Sequence, residues 1–263
     1  MKTTILQTDI LTADRHANMA AADELIAQAP SSDLYVLPEM WDVGFGCRAQ
    51  DVACPPEEHP AIKWMAAKAA ERRCAVAGSV PVVAVDGTFR NRLYFADGRS
   101  KRLEYYDKHH LFTYGGENKD YTAGDSRTVV EYCGLRILLL TCYDLRFPCW
   151  CRYQDDCRYD AIILTANWPE SRQQAWQLLP RARAIENQCW VIAAHRVGDD
   201  ASCHYVGESF FANAWGDVVT MAGSGVVQAI TADIDRSETD RQRKRFMVLD
   251  DRDNILINQS REK

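Results

Sequence analysis

Short uninterrupted apolar runs that each close on a polar residue constrain this chain more than any other feature. Leu34-Tyr35-Val36-Leu37-Pro38 gives way to Glu39, the run 135–141 to Cys142, and the run 161–165 to Asn167-Trp168-Pro169; residues 190–195 form a fourth. Runs of this length without alternation read as strands buried on both faces, so each needs a cover on either side. Segments 16–28, 59–73 and 170–187 supply it as helices, the second presenting Ile62, Met65 and Ala66 on one face and the third carrying Pro180 as a bend. Further strands are expected at 4–9, 101–106 and 127–132, the last followed by a turn at Gly134. Segments 75–85 and 89–96 read as a hairpin about Asp86-Gly87, and short strands punctuated by glycines fill 209–233. A loop spans 109–125. The class is α/β. Two β-sheets covered on their outer faces by helices account for the pattern, and a single doubly wound sheet fits it too.

The chain has 263 residues, within reach of one hydrophobic core, and shows no repeat, low-complexity tract or Pro-rich linker. The expectation is one domain over 1–263, with a tail from about 234 packing on the domain or on a partner subunit. A formal net charge of −6 without a basic face argues against nucleic acid. The short run from Arg241 to Arg245 reads as a solvated helix end or loop. No window approaches the roughly 20 apolar residues of a membrane span. Met1 leads directly into a strand with no charged leader, so a cytoplasmic location is expected. Ten cysteines are spread thinly, without a CxxC pair; Cys149, Cys151 and Cys157 cluster without a matching histidine pair. Most read as small core residues, and one at most as a reactive group. No metal and no cofactor are expected.

Ligands of α/β proteins gather beyond the carboxyl ends of strands. Glu39, Lys108 and Cys142 each stand at such an end, and adjacent strands would bring them into one pocket. A thiol of ordinary pKa, about 8.5, is mostly neutral at pH 7. A carboxylate can take its proton during attack and return it to a leaving amine, and a lysine can favour the thiolate and hold an oxyanion. A turn into a helix after Cys142 would add the Tyr143 backbone N–H as a second oxyanion donor. Taken singly each residue has a plainer reading: a solvated glutamate, a loop lysine, a packed cysteine.

Three stretches stand in order: Leu37-Pro38-Glu39-Met40-Trp41, Tyr106-Asp107-Lys108-His109-His110-Leu111-Phe112 and Thr141-Cys142-Tyr143-Asp144-Leu145-Arg146-Phe147-Pro148. With Gly116-Glu117, Ala123-Gly124-Asp125, Ala166-Asn167-Trp168-Pro169 and the segment Arg181 to Gln188, they resemble the signature blocks of the nitrilase, or carbon–nitrogen hydrolase, superfamily. Gly44-Phe45, Tyr121-Thr122-Ala123-Gly124 and the late Phe246-Met247-Val248-Leu249-Asp250-Asp251-Arg252 are most similar to its ω-amidase branch. The resemblance implies an αββα four-layer sandwich of mixed sheets flanked by helices, assembled as a homodimer or larger homo-oligomer. It implies Glu39 as general acid and base, Lys108 as oxyanion stabiliser, Cys142 as nucleophile and Glu117 as a second carboxylate that contacts Lys108 or orients the substrate.

The implied reaction is hydrolysis of the terminal amide of 2-oxoglutaramate or 2-oxosuccinamate through a Cys142 thioester; a sister activity on N-carbamoyl compounds or nitriles uses the same three groups. An anionic amide substrate needs cationic partners, for which Arg146 and Arg172 are candidates. Arg146 has a structural alternative, an ion pair with Asp144 or a neighbouring loop, and Arg172 a solvated one. Phe45 and Trp168 are candidate pocket walls or core residues. Trp41-Asp42-Val43, His109 and Cys149-Trp150-Cys151 depart from the family pattern, and Trp41 is expected to bear on pocket size.

Overall fold

The computed structural model describes residues 1–253 and 255. Six strands, β1 (Lys2–Gln7), β2 (Leu34–Val36), β3 (Ala75–Val83), β4 (Phe89–Asp97), β5 (Arg102–Asp107) and β14 (Gln228–Asp233), form one sheet in the order β14-β1-β2-β3-β4-β5. Six others, β6 (Val129–Tyr132), β7 (Leu135–Thr141), β8 (Ala161–Ala166), β9 (Trp190–His195), β12 (Phe210–Ala212) and β13 (Val218–Met221), form the second in the order β13-β12-β9-β8-β7-β6. Both sheets are mixed: β1-β2-β3 and β7-β8-β9 are parallel, and the flanking strands are antiparallel. A two-stranded ribbon, β10 (Val197–Asp199) with β11 (His204–Val206), stands apart.

Alternation within the apolar runs explains the layering. Leu34, Val36, Ala75, Ala77, Leu93 and Phe95 face the second sheet and share a core with Leu138, Leu140, Ile162 and Leu164. Their neighbours Tyr35, Leu37, Val76, Tyr94 and Ala96 face the other way, onto Leu25 and Ile26 of helix α1 (Arg15–Gln28) and Ile62 and Met65 of α3 (Pro60–Arg72). Trp176 and Ala184 of α6 (Gln173–Asn187) cover the far side of the second sheet. The result is the four-layer arrangement of two mixed sheets between helices, and the single-sheet alternative is excluded.

Several expected bounds shift. Segment 170–187 opens as a 3-10 turn (Glu170–Arg172) before α6, which continues through Pro180. The expected loop 109–125 contains a 3-10 turn (Thr113–Gly115) and the one-turn helix α4 (Glu117–Asp120). Short α2 (Ala49–Val52) and α5 (Pro148–Cys151) complete the connections. The basic run closes α7 (Arg236–Arg245), but Arg243 is not solvated: its guanidinium donates to the carbonyls of Tyr159 and Gln188 and pairs with Asp160. Through these bonds, and Gln242 Nε2 on the Ala214 carbonyl, the described part of the tail is fastened to the second sheet. The rest of the expected tail, at 254 and 256–263, lies outside the described residues. Among the described residues no helix is long and apolar enough to cross a membrane.

Candidate active site

The carboxyl ends of β2, β5, β7 and β8 lie along one edge of the two sheets, because β4 runs antiparallel to β3 and β5 returns beside it. Glu39, Lys108, Cys142 and Asn167 follow those four ends, and all but Lys108 line a cavity of about 300 Å³.

Lys108 is fully buried and holds two carboxylates. Its Nζ donates to Glu39 Oε1 at 2.8 Å and to Glu117 Oε1 and Oε2 at 3.0 and 2.8 Å. Burial alone would lower the lysine pKa, but the charges of Glu117 and Glu39 outweigh it and hold the ammonium well above its usual range. Glu117 also accepts the Phe112 N–H at 2.6 Å, so α4 and the preceding turn are pinned to the lysine. A residue that sequence reasoning passed over completes the net: Asn91 Nδ2 donates to both Glu39 Oε1 and Glu117 Oε1, at 2.8 and 3.0 Å.

Cys142 opens a 3-10 turn (Cys142–Arg146) with a φ of +48°, a conformation non-glycine residues seldom adopt. Asp144 holds it there. One carboxylate oxygen accepts the Thr141 N–H at 3.1 Å and the Tyr106 hydroxyl at 2.7 Å; the other accepts the His110 N–H at 2.8 Å. A single buried aspartate thus ties the turn bearing Cys142 to the segment bearing Lys108. Arg183 closes the turn's far end by donating to the Leu145 carbonyl at 2.7 Å.

Burial and the nearby Glu39 charge raise the Cys142 pKa well above its ordinary value, and Lys108 and the Asn167 backbone N–H pull the other way without prevailing. The resting group is therefore a thiol, not the thiolate that an adjacent lysine suggests. Glu39 is itself pushed up, chiefly by burial and against the pull of Lys108. Its Oε2 has no hydrogen-bond partner among the described residues, and the carboxyl group lies beside the Cys142 thiol. The Tyr143 N–H lies in the first turn, where a helical amide has no acceptor of its own, and Tyr143 lines the cavity.

Arg146 makes no pair with Asp144, because Asp144 is engaged by Tyr106 and His110. Its guanidinium instead lies 4.6 Å from the Trp168 ring and faces the cavity. Arg172 stacks on Phe112 at 4.9 Å and reaches the same cavity. Neither arginine has a carboxylate within pairing distance among the described residues, an unusual state for two guanidiniums in one pocket. Trp168 is a buried wall, and Phe45, half-buried 5.5 Å from Lys108 Nζ, is wall as well as packing. Trp41 is not in the pocket: it is buried beneath the sheet against Trp64, with Gly78 making room for its ring. The far rim, Asp200, Ser202, Cys203 and Tyr205, comes from the β10–β11 ribbon, which nothing in the sequence pattern had marked.

His109 stacks on Trp150 at 3.7 Å and joins the Gly124 carbonyl through Nδ1. Cys151 and Cys157 are buried core residues and Cys149 is exposed; among the described residues no group of three or more metal-ligating side chains assembles.

The carbon–nitrogen hydrolase family model matches residues 2–244. The chain belongs to the carbon–nitrogen hydrolase family. Among its relatives, omega-amidase YafV of Yersinia enterocolitica is 39% identical over 98% of both chains. A 2-oxoglutaramate amidase of Bacillus subtilis is 33% identical over 95% of this chain and 98% of its own. A carbon–nitrogen hydrolase superfamily protein of Xanthomonas campestris, solved with an arsenic adduct in its active site, superposes with a TM-score of 0.93 at 34% identity, covering 98% of this chain and 99% of that one. These similarities identify an enzyme of the hydrolase class and agree with the fold described above.

Proposed function

We propose that this carbon–nitrogen hydrolase is an ω-amidase that releases ammonia from the terminal amide of a small 2-oxo dicarboxylate monoamide. The observation that carries the proposal is the cavity itself. A buried thiol and a carboxylate form the floor, with the Lys108 ammonium held against the carboxylate, and two guanidiniums with no carboxylate partner among the described residues face the space above. The relatives' names support the same substrate class.

The amide carbon lies over Cys142 Sγ. As the sulfur–carbon bond forms, the thiol proton passes to Glu39 Oε2, and the carbonyl oxygen becomes an oxyanion facing Lys108 and the Tyr143 N–H. All three Lys108 N–H groups are engaged in the resting site, so the lysine helps as a charge and by loosening its 3.0 Å bond to Glu117. The oxyanion collapses, the carbon–nitrogen bond breaks and Glu39 gives its proton to the departing nitrogen, leaving a thioester and ammonia. Water then yields a proton to Glu39 while adding to the thioester. Collapse breaks the sulfur–carbon bond, returns the proton to Cys142 and frees the acid. Glu117 and Asn91 keep Lys108 and Glu39 in place throughout. At the other end, Arg146 and Arg172 hold the 2-oxo carboxylate, Trp168 and Phe45 bounding the chain between.

A homodimer belongs to the same proposal. Exposed Leu178 and Ile185 on α6, with Trp215 in the turn against Ile185, supply apolar surface for it, and sedimentation would read the mass. So does a cytoplasmic location.

The test is ammonia release from 2-oxoglutaramate by wild type and Cys142→Ala, beside an N-carbamoyl amino acid and a nitrile. Release from 2-oxoglutaramate by the wild type alone supports the proposal. Turnover confined to the carbamoyl compound or nitrile overturns the substrate, and turnover surviving in Cys142→Ala overturns the nucleophile.

A further inference from the structure

Beyond β8 the chain turns through Asn167-Trp168-Pro169, and this turn meets the main chain of Glu39 and the side chain of Cys142. Asn167 Nδ2 donates to the main-chain carbonyl of Glu39 at 2.8 Å, and the Asn167 backbone N–H points to the Cys142 sulfur. What secures the turn comes from the neighbouring strand. The Trp168 N–H donates to His195 Nε2 at 2.8 Å, and His195 Nδ1 lies 2.7 Å from the Arg196 carbonyl.

A carbonyl only accepts, so Nδ1 carries the proton and Nε2 is left as the acceptor that the Trp168 amide requires. One neutral tautomer satisfies both bonds; the other tautomer and the imidazolium each set two N–H groups against one another. The surroundings favour that form. The ring is fully buried, packs edge-on to Trp176 at 4.6 Å, and has its main chain clamped by Ser209, whose hydroxyl accepts the His195 N–H at 2.9 Å and donates to its carbonyl at 3.0 Å. Burial, with the Arg196 charge alongside, pushes the ring's pKa down to about 4.

We propose that His195 is a positioning residue for the reaction: as a neutral acceptor it fixes the Trp168 amide, and through it the Asn167 turn that holds the Cys142 sulfur and the Glu39 carbonyl. This rests on the assignment of Cys142 as nucleophile, and no contact of His195 with substrate is involved.

Two near-isosteres separate this role from plain packing. In His195→Gln the side-chain oxygen replaces Nε2 and can still accept from Trp168. In His195→Asn the amide replaces Nδ1 and can still donate to Arg196, but the Trp168 N–H loses its acceptor. The rate of Cys142 alkylation by iodoacetamide, followed by mass spectrometry, reads the nucleophile without assuming a substrate; kcat, KM and melting temperature are measured beside it. The Gln variant is expected within about threefold of wild type in alkylation and kcat, and the Asn variant to fall about tenfold to a hundredfold in both, with KM changing less, as an orphaned buried amide displaces the turn. Equal behaviour of the two variants, or losses that follow melting temperature alone, would overturn the proposal.

Should the Asn variant not fold, nitrogen-15 spectra of the wild-type histidine rings decide instead. A neutral ring protonated at Nδ1 at pH 7 is required, and an Nε2-protonated or doubly protonated ring sinks the idea. Absence of ammonia release from 2-oxoglutaramate with the alkylation difference intact would remove the substrate assignment and leave this one standing.

Discussion

Asn91 shares one amide between two carboxylates that compete for a single lysine, and its removal separates charge balance from shape. In Asn91→Leu, Glu39 and Glu117 each lose a donor in a buried site, and kcat/KM should fall about tenfold to a hundredfold with melting little altered. In Asn91→Asp, a third negative charge raises the Glu39 pKa further. The base then stays protonated to higher pH, and the acid limb of the kcat/KM profile moves upward. An unmoved limb would show that Asn91 does not act through Glu39. Arg172→Ala should raise KM for 2-oxoglutaramate about tenfold with kcat nearly kept, the loss of one charge-assisted bond, and an unchanged KM would remove the arginine clamp. Glu39, Lys108 and Cys142 were legible because each follows a strand end within a recognisable block, whereas Glu117, at the start of α4, was marked only by its block. Asn91 left a fainter mark: it continues the inward face of Phe89, Leu93 and Phe95, a polar residue in phase with apolar ones. Its partners come from the segment after β2 and from α4, and that pairing is written in no local stretch. Asp144 misled for the same reason, its real partners lying 34 and 38 residues away.

Among the elements, the β4–β5 hairpin has two ends with different duties. Its Asn91–Lys108 end builds the site, with Lys108 N–H donating to the Asn91 carbonyl at 2.9 Å. Its other end turns at Gly98 against the last turns of α3, where an added Cβ would lie 2.0 Å from the Ala69 carbonyl oxygen. Backbone on both sides cannot yield cheaply. Gly98→Ala should therefore cost about 1–3 kcal/mol, read as a lower urea midpoint, with kcat/KM of the folded fraction unchanged. A normal midpoint would mean that α3 shifts freely over the hairpin, and a lost kcat would mean that the two ends are coupled. The long apolar strands and amphipathic helices were readable because their burial is continuous along the chain. The β10–β11 ribbon was not. Val197-Gly198-Asp199 and His204-Tyr205-Val206 are too short and polar to show a period, and they are held by a buried arginine, Arg196, donating to the Val197, Ile10 and Asp199 carbonyls.

At the scale of the molecule, one sheet or two could not be decided from the chain, because the decision rests on pairings across its length; β14 joins β1 over more than 220 residues, Lys2 opposite Asp233. Closing the sandwich in this way buries groups that would rather be charged, and their balance sets how the fold answers acid. His59 and His195 are both buried and neutral, each pushed by burial from 6.5 down to about 4. For such groups the folded state binds fewer protons than the unfolded chain below 6.5. Their contribution is complete above that pH and is lost as pH falls toward 4. Asp42 works in the opposite sense. Burial lifts it from 3.8 to about 6 despite Arg15 at 2.8 Å, so its ionisation weakens the fold as pH rises through that interval, and its protonation offsets part of the histidine loss on the way down. Glu39, also raised by burial, works with Asp42, and the two histidines are expected to outweigh the two carboxylates, leaving a net loss on acidification. The melting temperature should hold steady from pH 8 to 7 and drop between pH 6.5 and 4.5. His59→Leu, which removes one of the two histidines and its ring N–H, should shallow that drop while lowering the plateau at neutral pH, since the Pro81 carbonyl loses its 3.0 Å partner. A flat profile from pH 6.5 to 4.5 in the wild type would show that the buried histidines do not govern the acid response.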